Sequence, residues 1–300
     1  MTVYEDYVIN LRGKSTTEII EFLMSNNLLK RNHICTHCGA RMDLRKRSTI
    51  DGCAWVCKAL NCPFKTTTKS LWAKSIFSIS RLKIVCIFTV IMSWTFNKSI
   101  ITVNMDFGIC KRSIIAIYNK LREIVKAHLE SDPIRLGGIG KICQIDESLF
   151  CHKVKAHRGR PPNAPLWVFG IVDIDFKPAR GYMEIVPDRS AATLLPIIRR
   201  VCRPGTIIHS DEWAAYNQIS NILGFEHNSV NHSLYFVDPL TSVHTQHIES
   251  FWNRQKSKIK SLKGIRRVDL PNYLAEFMWK DVYKNDMHER LFEIIRLFFN

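Results

Sequence analysis

Three acids stand where acids need a reason. Lys141–Phe150 (KICQIDESLF) opens as a buried strand through Ile142, Cys143 and Ile145, then presents Asp146 and Glu147 in succession. An isolated ionised carboxylate in a dry sheet is costly unless it is paired or holds a cation. The bland alternative is a strand that stops at Ile145 and passes into a solvated turn. Two later acids bear on that choice. Asp211 follows the short apolar strand Thr206–His209, and Glu249 lies on the helical stretch Thr245–Lys263. The separations are 65 residues (211 − 146) and 38 residues (249 − 211). Three carboxylates brought together repel, and without a cation at least one takes up a proton. Two divalent ions ~3.5–4 Å apart relieve the repulsion and suit in-line phosphoryl displacement. Hard oxygen ligands favour magnesium, with manganese able to replace it.

A second constellation is sulfur-based. Cys35-Thr-His-Cys38 is followed by Cys57 and Cys62, with eighteen residues between Cys38 and Cys57 and four between Cys57 and Cys62. Two knuckles at this separation form a zinc-ribbon pattern, in which four thiolates converge on one tetrahedral ion. Cys53 is a spare that could replace Cys57 or Cys62. No open coordination position is implied, so the zinc is structural, stapling a core too small to fold alone.

The elements that must position these residues follow from periodicity. Ser15–Leu29 reads as a short amphipathic helix with Ser15 and Glu18 as a capping box. Ser80–Phe96, Ser99–Asp106 (closed by Gly108) and Lys111–Leu129 read as three helices, the last two in helix-turn-helix spacing. Ser131–Gly140 (SDPIRLGGIG) is a break in pattern and the natural boundary. Beyond it come the strand Lys141–Asp146, a basic proline-rich loop His152–Pro165 and a hairpin of Leu166–Asp175 with Gly181–Val186. Next are a helix Ser190–Val201 carrying Pro196, the strand Thr206–His209, a helix Trp213–Leu223 and a short strand His227–His232. Thr245–Lys263 and an apolar-faced Pro271–Asn300 complete the chain, the latter expected to pack back on the core.

The order β-β-β-α-β-α-β-α is a ribonuclease-H-like arrangement: a mixed five-stranded sheet with flanking helices, preceded by the ribbon and the helical segment. A right-handed crossover sets its first and fourth strands side by side. Asp146 and Asp211 are then neighbours at the ends of those strands, and the long helix brings Glu249 to the same edge. Lys256 lies seven residues beyond Glu249, two turns or ~10 Å along one face. Asn253 and Lys260 continue that stripe, whereas Ile248, Trp252, Ile259 and Leu262 point to the buried side. Glu249 alone could equally be a surface acid pairing with Asn253 or Lys256. The expected domains are a helical segment over 1–32, a zinc ribbon over 33–72, a helical DNA-binding segment over 73–132 and the catalytic domain over 133–300.

Charge points to the partner. The net charge is +16, and residues 52–105 contain no Asp or Glu. Such a balance calls for a polyanion, nucleic acid before membrane. MTVYEDYVIN has no basic region leading into an apolar run, so no secretory signal is expected. Ile84–Trp94 falls short of the ~20 residues that cross a bilayer. Ten cysteines then fit a reducing compartment, where thiols bind metal or fill cores.

The segments DGCAWVC, QIDESLF, HRGRPPNAP, WVFGIVD, IIHSDEWAAY and VNHSLYFVDPLTSVHTQHIESFW resemble the DDE transposases of the Merlin superfamily and related bacterial insertion-sequence transposases. The resemblance runs over nearly the whole chain. It implies a ribonuclease-H-like core whose triad falls on Asp146, Asp211 and Glu249. Some bacterial relatives use a different third residue, so Glu249 is the least secure; Asp238 is a rival, set in a loop before Pro239. The implied activity is cut-and-paste transposition: binding of terminal inverted repeats, metal-dependent cleavage and strand transfer into target DNA, by at least a dimer. Lys155, Arg158, Arg160, Lys256 and Lys260 are the expected contacts to double-stranded DNA. His209, Trp213, His244 and His247 either position DNA or are core and hydrogen-bonded residues. A eukaryotic origin, favoured by the Merlin likeness, implies the nucleus; a bacterial one implies the cytoplasm. The competing reading is a domesticated, non-catalytic DNA-binding protein derived from a transposase.

Overall fold

A computed structural model describes residues 10, 13–64, 67–151, 165–231 and 234–299. They form two compact units. One comprises the described residues up to Val125 together with those from Asn285 onward, and the other runs from Lys126 to Lys284.

The first unit opens with α1, Thr16–Ser25. Ser15 caps it: its hydroxyl accepts from the Glu18 amide at 3.3 Å, and the Glu18 carboxylate accepts from the Ser15 amide at 2.7 Å. Four short antiparallel strands follow in sequential order, β1 (His33–Ile34), β2 (Arg41–Lys46), β3 (Cys53–Val56) and β4 (Thr68–Lys69). Helix α2, Ile84–Thr95, is buried almost all round, as its lack of charge requires. α3, Ile100–Phe107, starts on a Ser99 cap and ends at Gly108, whose φ of 66° suits a residue without Cβ. α4, Lys111–Ser131, follows after a three-residue turn, and the division between units falls within it, after Val125.

The second unit is built on a five-stranded sheet: β5 (Ile142–Cys151), β6 (Leu166–Asp173), β7 (Arg180–Val186), β8 (Ile207–Asp211) and β9 (Glu226–Val230). The strand order is β7-β6-β5-β8-β9. β5–β6 and β6–β7 are antiparallel, and β5–β8 and β8–β9 parallel. This is the ribonuclease-H-like topology, with the first and fourth strands adjacent at the centre. The sheet is covered on both faces. Ile145, Phe169, Ile171 and Ile208 pack under α5 (Ala191–Val201) with Tyr216 and Ile219. Val168, Val172 and Met183 pack under α6 (Gln246–Ser261) and α7 (Leu270–Val282). Burial on both sides explains why β6 reads as a continuous apolar run rather than an alternation.

Four expectations change. β5 does not end at Asp146 but continues to Cys151, because β6 pairs with it along that length. Trp213–Leu223 is not one helix; a 3₁₀ turn (Ala214–Tyr216) and a π turn (Ile219–Leu223) replace it, with only Ala215, Tyr216 and Ile219 buried to hold them. Leu262 is not on the buried side, being 41% exposed just past the last residue of α6. The carboxy-terminal stretch divides after Val282: α7 packs on β7, whereas α8 (Met287–Phe299) joins the first unit. There Phe292 meets Phe88 of α2, and Arg296 donates to the Asn26 carbonyl at 2.7 Å.

Candidate active site

The parallel pair β5–β8 sets the first two acids. Its register is Ile142↔Ile207, Cys143↔Ile208 and Gln144↔His209, a constant offset of 65 (207 − 142). Asp146 and Asp211 carry the same offset, two residues past the last bonded pair. Side chains two apart share a strand face. Asp146 therefore shares its face with Gln144, and Asp211 with His209.

Asp146 pairs with Gly170 of β6, and over Gly170 lies the indole of Trp252 from α6. That indole donates to Asp146 Oδ2 at 3.0 Å. Burial pushes the Asp146 carboxyl up to about 7, and the charges of Glu147 and Asp211 push the same way. Asp211 closes β8 and accepts from the Trp213 amide at 3.0 Å.

α6 is seated on the same face. Its N-cap residue, Thr245, makes no side-chain capping bond, and His244 Nδ1 meets only the first amide, that of Gln246. Gln144, fully buried, takes that place: Oε1 accepts from His247 N at 3.0 Å and Ile248 N at 3.1 Å, and Nε2 donates to the His244 carbonyl at 2.7 Å. Glu249 follows directly, exposed, with Thr245 Oγ1 donating to it at 3.3 Å. The arrangement of the acids is open. Among the described residues, only the four ribbon cysteines form a group of three or more potential ligands all within 4.8 Å of one another. Lys256 reaches back toward Asp146 over the Phe150 ring, 5.8 Å from its centroid, while Lys260 and Asn253 are exposed.

Glu147 points the other way. Its side chain is fully buried on the α5 face, where Arg189 (3.0 and 3.2 Å) and the Tyr216 hydroxyl (2.7 Å) donate to it. Arg189 is stacked between Trp167 and Trp213, 4.6 and 4.1 Å from their centroids. Burial raises the Glu147 carboxyl, against the Tyr216 and Arg189 bonds that lower it. Sequence reasoning missed Gln144, Arg189 and Tyr216; no spacing rule marks a partner 42 to 104 residues away.

The His244 and His247 rings lie 5.3 Å apart, tilted at 40°, and His244 Nδ1 lies 3.3 Å from the Gln246 amide that donates to it. Trp213 Nε1 is bonded to the Arg189 carbonyl at 3.1 Å. Asp238 is a turn residue: its carboxylate accepts from Leu240 N and Thr241 N at 2.9 and 2.8 Å. Lys155, Arg158 and Arg160 lie outside the described residues.

In the ribbon, Cys35, Cys38, Cys57 and Cys62 converge, with Sγ···Sγ distances of 3.9 Å (35–62) and 3.6 Å (38–57). A tetrahedral ion with Zn–S of about 2.3 Å needs sulfurs ~3.8 Å apart, so the set fits zinc. The His37 amide draws the Cys35 thiol down to about 6. Cys53 is not part of the cluster. No helix among the described residues is long and apolar enough to cross a membrane.

The family model for the ISXO2-like transposase domain matches residues 144–281, a span that includes Asp146, Asp211 and Glu249. Two solved structures share less. The catalytic core domain of BIV integrase aligns with a TM-score of 0.32 at 13% identity, covering 46% of this chain and 82% of that one. The simian T-cell lymphotropic virus intasome in complex with PP2A regulatory subunit B56 gamma aligns with a TM-score of 0.32 at 15% identity, covering 64% and 67%. An uncharacterized transposase-like protein of Haemophilus influenzae is 32% identical over 99 residues, 33% of this chain and 78% of that protein. With that identity over most of the relative's length, and the domain match across the central sheet and α6, the chain belongs to the ISXO2-like transposase family.

Proposed function

We propose that the protein is a DDE transposase that binds the terminal inverted repeats of its element, cleaves there and joins the freed 3′ ends to target DNA. The observation that carries this reading is the shared offset of Asp146 and Asp211 on adjacent parallel strands, with the helix of Glu249 fastened to the same face. A carboxyl held up to about 7 by burial and two neighbouring acids is a group that gains from a cation beside it. In this reading Asp146, Asp211 and Glu249 hold magnesium or manganese, which supplies activation of the attacking hydroxyl and stabilisation of the leaving oxygen. Trp252 orients Asp146, and Lys256 adds positive charge on the side where a phosphodiester would lie. Lys256 and Lys260 contact the DNA backbone, with Lys155, Arg158 and Arg160 of the basic loop completing the set.

The cysteine ribbon holds structural zinc, and its basic surface and the α3–α4 pair bind DNA. Pairing two transposon ends requires at least a dimer. The compartment is that of the element's DNA: the nucleus in a eukaryote, the cytoplasm in a bacterium.

The test is purified protein with magnesium and duplex DNA carrying the element's ends. Cleavage at the ends and strand transfer are expected, both lost in Asp146→Asn and Asp211→Asn, while DNA binding survives. Binding with no cleavage, unchanged by these substitutions, would instead support the domesticated DNA-binding protein.

A further inference from the structure

We propose that Gln144 is a positioning residue, which holds the helix acid Glu249 in place against the strand acid Asp146. The proposal rests on the reading of Asp146, Asp211 and Glu249 as the metal-holding acids. A helix begins with amides that have no partner within the helix. They are ordinarily met by the side chain just before the helix. In α6 that side chain, Thr245, makes no such bond. His247 N and Ile248 N, second and third in the helix, are met instead by an amide 103 and 104 residues earlier.

Glutamine is the side chain this place calls for. Its oxygen accepts both helix amides, and its nitrogen donates to the His244 carbonyl just ahead of the helix. A glutamate could not make the second bond and would add charge beside Asp146 and Glu147. An apolar residue would leave both helix amides without this partner, and the one at Ile248 is buried and costly to leave unmet. Gln144 shares its strand face with Asp146, and Glu249 is the residue after Ile248. Three residues beyond Glu249, Trp252 makes the other bond from helix to strand, at Asp146. Glu249 thus lies between two fastenings, both on β5. Releasing the Gln144 fastening frees the turn that carries Glu249 and leaves Asp146 and Asp211 on their strands.

Mn²⁺ binding, followed by electron paramagnetic resonance on the full chain, tests this. Asp146→Asn identifies the site. Gln144→Met is expected to weaken Mn²⁺ binding about tenfold, the usual scale for a group that orients a ligand. In a Glu249→Gln background the same change is expected to alter affinity less than twofold, since Gln144 acts through that residue. Leu274→Ala on α7, chosen to lose similar thermal stability, is expected to leave affinity unchanged. Gln144→Asn, one methylene too short, gives the same reading if the methionine variant does not fold. Gln144 variants that bind Mn²⁺ like wild type, an undiminished effect without Glu249, or an equal loss in Leu274→Ala would each overturn the positioning role. If Asp146→Asn binds as tightly as wild type, the metal-site reading itself fails, and this proposal with it.

Discussion

Asp146 and Glu147 are adjacent in sequence and opposite in role, because successive strand residues face opposite ways. Asp146 faces α6, with like charges near it and one indole bond. Glu147 faces α5, with a cation and a phenol. Asp146 makes stability depend on pH. Its carboxyl rises from an ordinary 3.8 to about 7 on folding. Between these values the folded chain binds more protons than the unfolded one, so stability falls as pH rises through that window and is flat above it. In metal-free protein, Asp146→Asn is therefore expected to stabilise the second unit at pH 8, by about 2–4 kcal/mol, and to do nothing near pH 3.5. Denaturant melts at the two pH values check this; equal effects at both would contradict it. Magnesium should raise the stability of wild type at pH 8 and leave Asp146→Asn unchanged. Glu147 gives the opposite case. Arg189→Met strands a fully buried carboxylate, and a loss of about 3 kcal/mol is expected. An unchanged melting curve would show that solvent replaces the guanidinium.

At the scale of elements, α6 is seated on the sheet face that carries Asp146, and glycines let it approach. A Cβ at Gly170 would fall within the Trp252 indole, and one at Gly181 would lie 2.6 Å from the Phe251 ring. The sheet is bare at two points where two aromatic rings of one helix approach it. Gly170→Ala is expected to cost about 1–3 kcal/mol by overpacking, and to break the indole bond to Asp146. Trp252 fluorescence and the pH dependence of stability report the two effects. A fully stable Gly170→Ala protein with unshifted fluorescence would show that the helix can slide without consequence. The helix pair α3–α4 shows the reverse economy. Its Ser99 cap and its Gly108 stop are local chemistry, set without reference to any distant partner.

At the scale of the molecule, the described chain is two units with separate cores, and they should respond separately to loss of metal. Cys35, Cys38, Cys57 and Cys62 sit among Met42 and Trp55 in a cluster of few buried residues. A core that small needs a staple, and the four thiols are placed to hold one. Zinc chelation is expected to unfold the ribbon and leave the cooperative transition of residues 126–284 in place, as hydrogen exchange and calorimetry would show. Loss of all cooperative unfolding on chelation would mean that the two units fold as one. The partition of the carboxy-terminal helices belongs to this scale too. Both α7 and α8 present an apolar face, and nothing in those faces tells which core each will join.

Local pattern determined a large part of this protein: the cysteine spacing, the capping box of Ser15 with Glu18, and a strand order that sets the strands of Asp146 and Asp211 side by side through a right-handed crossover. These are readable because periodicity, capping and chain handedness act over a few residues or through topology alone. Tertiary structure decided the rest. It extended β5 past its acids, turned Glu147 inward to Arg189, excluded Cys53 from the sulfur cluster and made Gln144 the cap of a helix a hundred residues away. Those outcomes depend on which faces meet and which buried polar groups remain unmet there, and a side chain's distant partner leaves no periodic trace in the chain.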